Sequence, residues 1–261
     1  MVIVFRVEDS TIAILGAGSL GTRVIDALYQ RGHRNIIATR TNRERLEEIR
    51  QQFRTETTAN NVDATEKSDV VVMAVKPYRL EDVCQEIAYV TREKLVISLA
   101  AARSIAQIEA ILNASRVCRV MTGIFVADEI AAYTLGSRCT TEDAGVIRYI
   151  FGDRAKEVKE DALADRTWIA CDTGLIAKAI EYQIAALPEL QHDEARRMYG
   201  ATLEGIAKQF QRGMTGHEIF SAVAGPGSFT GKLHESLQDA GVYEKLMDCV
   251  KRTVEACKPK T

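Results

Sequence analysis

Between residues 11 and 121 the chain alternates two hydrophobic patterns: short unbroken apolar runs, and longer stretches whose apolar positions recur at helical spacing. The first run, Ile12-Ala13-Ile14-Leu15, leads to Val24, Ile25, Leu28 and Tyr29 on one helical face, and Gly32 ends that helix. A second strand is expected over residues 35–39 (NIIAT), followed by a helix that carries Leu46 and Ile49. Residues 69–75 (DVVVMAV) are apolar on both alternating faces, as a strand inside a parallel sheet must be, and Pro77 stops them. A helix over 80–89 and a strand over 95–99 come next. A capping box at Ser104 and Gln107 then opens a helix to Leu112, and a strand over 117–121 closes the series. Strands and helices in alternation predict an α/β fold with a Rossmann-type, doubly wound parallel sheet.

Past residue 155 the pattern changes. A short strand near Val158 gives way to helical periodicity alone: residues 174–187 before Pro188, then 193–211, 230–239 and 242–257. The turn Ala224-Gly225-Pro226-Gly227-Ser228 interrupts them. Charge concentrates over 153–165, which divides the chain into two domains, 1–158 and 159–261. The second is all-helical. A few helices of this size bury their apolar faces poorly alone, so this domain is expected to dimerise.

Composition narrows the function classes. A length of 261 residues suits two domains, and 46% hydrophobic content is enough for a full core. A net charge of −2 argues against a nucleic-acid or membrane-surface partner. No apolar stretch reaches the roughly 18 residues of a membrane span, and residues 1–9 (MVIVFRVED) are too short and too charged for a signal peptide. The 6 cysteines show neither C-x-x-C pairs nor metal-ligand spacing, and are expected to be reduced thiols in a cytoplasmic protein.

The candidate chemistry begins at Gly16-Ala17-Gly18-Ser19-Leu20-Gly21, between the first strand and the first helix. In that context the spacing is the dinucleotide-binding fingerprint. Gly16 permits the tight turn, Gly18 lets the backbone approach a pyrophosphate, and Gly21 lets helix and strand lie close. The helix N-terminus offers free N–H groups to the phosphates. After the second strand, where an NAD-selective site places a carboxylate for the ribose 2′-OH, stand Arg40, Thr41 and Arg43. Guanidiniums and a hydroxyl suit a 2′-phosphate, so the expected cofactor is NADP(H).

The chain resembles the pyrroline-5-carboxylate reductase family, loosely, over nearly its whole length. The resemblance rests on the glycine turn, Asn61 ahead of Ser68-Asp69, Ala74-Val75-Lys76-Pro77, Ser98-Leu99-Ala100-Ala101-Ala102 and Arg119-Val120-Met121-Thr122. It ends with Gly225-Pro226-Gly227-Ser228-Phe229-Thr230, then Leu233, Leu237 and Gly241. It implies an N-terminal NADPH domain, a C-terminal helical dimerisation domain, and hydride transfer to the C=N carbon of a small cyclic imine carboxylate, most simply 1-pyrroline-5-carboxylate to proline. It also implies that Ser19, Leu20, Asn61, Ala74, Val75, Lys76, Pro77, Ser98, Ala100 and Ala101 surround the cofactor. Thr122 would stand beside the substrate. Gly227, Ser228, Phe229 and Thr230 would hold the substrate carboxylate, with Thr230 orienting it and assisting proton delivery. A protonated imine is already electrophilic, so such a site needs positioning rather than a nucleophile.

The chain departs from the family at several places. Gly123 replaces an asparagine, and Ala102 replaces a glycine. Residues 170–175 (ACDTGL) retain almost nothing of the family's G-S-G-P-A-Y. Phe229 is bulkier than the small residue expected. Gly174 and Lys178 also fit part of the β-hydroxyacid dehydrogenase motif, in which the lysine is the acid/base group for an oxo-acid substrate. Tyr182 breaks that match, and a solvated helix lysine is the plainer account. A third alternative is an NADP-binding sensor without turnover. Asp172 and Thr230 read as helix N-caps. His33, His192, His217 and His234 make no ligand set.

Overall fold

The unbroken apolar runs become strands buried on both faces because helices cover both sides of the sheet they form. The computed structural model describes residues 6–126, 131–187, 189–225 and 227–259. Strand β1 (Ile12–Leu15) is followed by α1 (Ser19–Gln30), β2 (Ile36–Thr39), α2 (Arg43–Phe53), β3 (Glu56–Thr58) and α3 (Asn61–Glu66). Then come β4 (Val70–Met73), α4 (Leu80–Ile87), β5 (Leu95–Ser98), α5 (Ile105–Glu109) and β6 (Arg116–Met121). β7 (Ala132–Leu135), α6 (Thr141–Phe151) and β8 (Lys156–Glu157) complete the sheet region. Five helices follow: α7 (Leu163–Ala185), α8 (His192–Gln211), α9 (Gly216–Val223), α10 (Phe229–Asp239) and α11 (Val242–Cys257).

The sheet has 8 strands in the order β3-β2-β1-β4-β5-β6-β7-β8. Every neighbouring pair is parallel except β6 and β7, which run antiparallel. Alternate strand residues feed two cores. Ile12, Ile14, Val70, Val72 and Ile97 meet α1 and α6 on one face, whereas Ala13, Leu15, Val71, Met73 and Val96 meet α4 and α5 on the other. The chain reverses its direction of travel between β1 and β4. In an open α/β sheet, ligands bind in the crevice at the carboxyl ends of such strands.

Residues up to Cys171, together with those from Val254 onward, form one compact unit; Asp172–Thr253 form a second. The second unit has a thin interior in which Ile184 and Ala195 are buried. Arg196 on α8 ties to Glu181 on α7 by two hydrogen bonds of 2.9 and 3.1 Å, and His234 on α10 meets the Tyr243 hydroxyl at 3.0 Å.

Several expectations need correction. β4 ends at Met73, not Val75; the Ala74 N–H makes one further bond to β1, on the Leu15 carbonyl at 2.8 Å. α7 starts at Leu163, eleven residues ahead of the helix expected at 174, so Asp172 lies inside it and caps nothing. The cap of α10 is Ser228, whose hydroxyl accepts the Gly231 N–H at 3.0 Å; Thr230 is already in the helix. Pro188 and Pro226 lie outside the described residues.

Candidate functional site

Gly16 follows β1 at φ +88°, in the left-handed region, and a Cβ there would fall 2.7 Å from Val75 Cγ1. Its N–H and that of Ala17 reach the Thr39 carbonyl at 3.2 and 2.7 Å, which fastens the turn to the end of β2. On Gly21 a Cβ would lie 2.6 Å from the Gly16 carbonyl oxygen, so helix α1 approaches the turn as closely as it does because that residue is glycine. Gly18 is different. A Cβ there would meet nothing nearer than the Gly16 oxygen at 3.9 Å, and no side chain caps the helix at Gly18. Open space over an uncapped twelve-residue helix fits a pyrophosphate.

Arg40 leaves the end of β2 and turns back over this loop; its Nη1 donates to the Ala17 carbonyl at 2.7 Å. Thr41 and Arg43 are exposed beside it, and Asn42 caps α2 by accepting the Arg45 N–H at 2.9 Å. Asn61 is held from two sides. Its Oδ1 accepts the Thr39 hydroxyl at 2.7 Å and its Nδ2 donates to Glu86 at 2.8 Å. It therefore braces the end of β2.

The ends of β4, β5 and β6 bring up the remaining predicted residues of the first unit. Ala74 and Val75 touch the glycine turn, Lys76 is exposed, and Pro77 opens a 3-10 turn. Ser98 is buried and accepts the Ala100 N–H at 3.3 Å, and the Leu99 N–H reaches the Met73 carbonyl at 3.0 Å. Ala100 is buried and Ala101 half-buried; Ala102 adopts φ +57°. The Thr122 hydroxyl, just past β6, is buried without a hydrogen-bond partner. Glycine turn, Arg40, Ala74–Pro77, Ser98–Ala101 and Thr122 thus line one end of the sheet.

The turn 227–230 belongs to the second unit. Gly227 has φ +77°, and Phe229 is 90% exposed. With Ser228 taking the Gly231 N–H, the N–H groups of Phe229 and Thr230 are left at the mouth of α10. Lys178 is exposed on α7, its ammonium 5.0 Å from the centre of the Tyr182 ring, which is the arrangement of a solvated helix lysine. Buried thiols are poor nucleophile candidates: burial pushes Cys84 up to about 12 and Cys139 up to about 11, and raises Cys118 well above its ordinary value. What sequence reasoning missed is the pair Arg119 and Glu160, joined at 2.7 Å across 41 residues; a lone arginine in a strand carries no signal of its partner.

Residues 11–102 match the family described as NADP oxidoreductase coenzyme F420-dependent. Over 96% of its length the chain is 28% identical to a pyrroline-5-carboxylate reductase of Methanosarcina acetivorans, of which it covers 98%. The crystal structure of Plasmodium falciparum pyrroline carboxylate reductase with NADP bound superposes with a TM-score of 0.85 at 18% identity, covering 96% of this chain and 98% of that one. The Streptococcus pyogenes 1-pyrroline-5-carboxylate reductase gives 0.83 at 19% identity, over 95% and 98%. These structures share the fold.

Proposed function

We propose that this chain, a divergent relative of the pyrroline-5-carboxylate reductases, uses NADP(H) to reduce the C=N bond of a small cyclic imine carboxylate, 1-pyrroline-5-carboxylate, to proline. The observation that carries the reading is the span of the likeness. The NADP oxidoreductase family matches only residues 11–102, whereas the Methanosarcina acetivorans reductase matches 96% of the chain, helical part included.

NADP(H), when bound, supplies the hydride; the chain supplies placement. The N-terminus of α1 holds the pyrophosphate, with Gly18 leaving it room. Arg40, Thr41 and Arg43 face the 2′-phosphate. The backbone of Ala74–Pro77 and Ser98–Ala101 lines the nicotinamide end, and Thr122 offers its unpaired hydroxyl at the same edge. The two N–H groups of Phe229 and Thr230, with the Thr230 hydroxyl, take the substrate carboxylate. Positioning of this kind removes up to several kcal/mol of barrier without a covalent step. The second unit pairs with its copy in a homodimer, and the protein works in the cytoplasm.

The test is NADPH oxidation, followed by absorbance, with pyrroline-5-carboxylate beside a panel of other cyclic imines and small 3-oxo acids. Turnover of pyrroline-5-carboxylate is expected, with Thr230→Ala raising its KM by about tenfold through a lost charge-assisted hydrogen bond. Turnover of 3-oxo acids alone would move the function to the Lys178 alternative, and NADPH binding with no turnover would leave a sensor.

A further inference from the structure

Arg119 lies as deep as the isoleucines of the sheet, with 2% of its side chain exposed. It stands on β6 opposite Ser98 of β5. Its Nη1 donates to Glu160 Oε1 at 2.7 Å, and its Nη2 reaches the Ala100 carbonyl at 3.4 Å. The same Glu160 oxygen accepts the N–H of Ile105 at 2.7 Å. Ala100 and Ile105 are the two ends of one short loop. A single ion pair therefore grips that loop at both ends, the cation on a carbonyl and the anion on an N–H. Between them Ala102 sits at φ +57°, held by its N–H on the Cys257 carbonyl at 3.2 Å.

Stability alone is a weak reason for this arrangement. Arg119 Nε is buried with no partner. Desolvating a guanidinium and leaving a donor unused offsets much of what the ion pair gains, and a buried pair is often no more stable than an apolar replacement. The loop it grips lies beside the residues that line the nicotinamide end. The adenine end is built from other bonds, those of Arg40, Thr39 and Asn61, which share no atom with the pair.

Resting on the NADP(H) reading above, we infer that Arg119 and Glu160 are positioning residues for the nicotinamide half of the cofactor, acting through the backbone of residues 100–105. The pair sets how that half is bound and leaves the adenine half alone.

Calorimetric titration of the full chain with two ligands separates the halves: NADPH, and adenosine 2′,5′-bisphosphate, which lacks the nicotinamide. Glu160→Gln and Arg119→Lys should weaken NADPH at least ~10-fold, the loss of about one charge-assisted hydrogen bond, and leave the bisphosphate within about twofold. Glu160→Asp, which keeps the charge, should recover part of the NADPH affinity. The double variant Arg119→Met with Glu160→Gln removes both charges of the pair and so strands neither partner, and it should show the same split. Parallel weakening of both ligands, unchanged NADPH affinity in the folded double variant, or failure of every variant to fold would each overturn the inference. A wild-type protein that binds neither ligand would instead remove the cofactor reading, and the inference with it.

Discussion

Arg40 stands where an NAD-selective site places a carboxylate, and its guanidinium already lies across the glycine turn on the Ala17 carbonyl. Removing it together with the exposed Arg43 deletes the two guanidiniums proposed to face a 2′-phosphate, a group that NADH lacks. Arg40→Ala with Arg43→Ala should weaken NADPH by at least about tenfold and NADH by less than about twofold, measured by fluorescence titration. Equal loss for both would refute the 2′-phosphate assignment. Residues whose role is local were legible in advance. Gly16, Gly18 and Gly21 answer to a turn, an open face and a close helix, and each demand is visible in the spacing. Ser104 and Gln107 form the expected capping box, with bonds of 3.1 and 3.0 Å. Ala102 was not legible as a strained position. A left-handed alanine costs about 1–2 kcal/mol, and nothing next to it in sequence announces the contacts that hold it there. Ser228 took the cap from Thr230 because both hydroxyls are competent and the helix begins one residue earlier.

At the scale of elements, β1, β2, β4 and β5 were read correctly because burial on both faces demands continuous apolar runs, and β6 was read although the buried Arg119 interrupts its run. β3 was missed because it is an edge strand of Glu56-Thr57-Thr58, polar where water reaches it. β7 was missed because its second half is only partly buried, so it lacks the continuous apolar run of the inner strands. The start of α7 escaped because its apolar residues are spread around the helix, with no single stripe to mark its first turn. One junction between elements makes a measurable claim. His33, after α1, is buried; its Nε2 donates to the Asn35 carbonyl at 3.3 Å, so its Nδ1 accepts the Tyr149 hydroxyl of α6 at 3.1 Å. Both bonds suit the neutral ring, and desolvation holds its pKa below the ordinary 6.5. The unfolded chain then binds the proton more readily than the folded one. Stability from this junction is complete above pH 6.5 and is lost as pH falls from there through the folded value. Melting temperature should drop on acidification below pH 6.5, and His33→Gln should flatten that part of the profile. An unchanged slope in the variant would place the acid sensitivity elsewhere.

For the whole molecule, the second unit poses a question the first does not. Its interior is thin, and Leu233, Leu246 and Met247 are each more than half exposed. Apolar surface of that extent is ordinarily covered by a partner, which is the physical ground for the proposed homodimer. Light scattering at micromolar protein should return twice the mass of one chain. Leu246→Glu with Met247→Glu should shift it to monomer while binding of adenosine 2′,5′-bisphosphate survives; a monomeric wild type would defeat the pairing. Among the described residues no helix is long and apolar enough to cross a membrane. The first unit is discontinuous in sequence, since the residues from Val254 onward return to it and Cys257 supplies the carbonyl that holds Ala102. During synthesis the strands β1 to β6 emerge long before that carbonyl exists. A nascent chain on the ribosome can therefore assemble its sheet early, yet the loop at the end of β5 waits unfinished until residue 257 has cleared the exit tunnel.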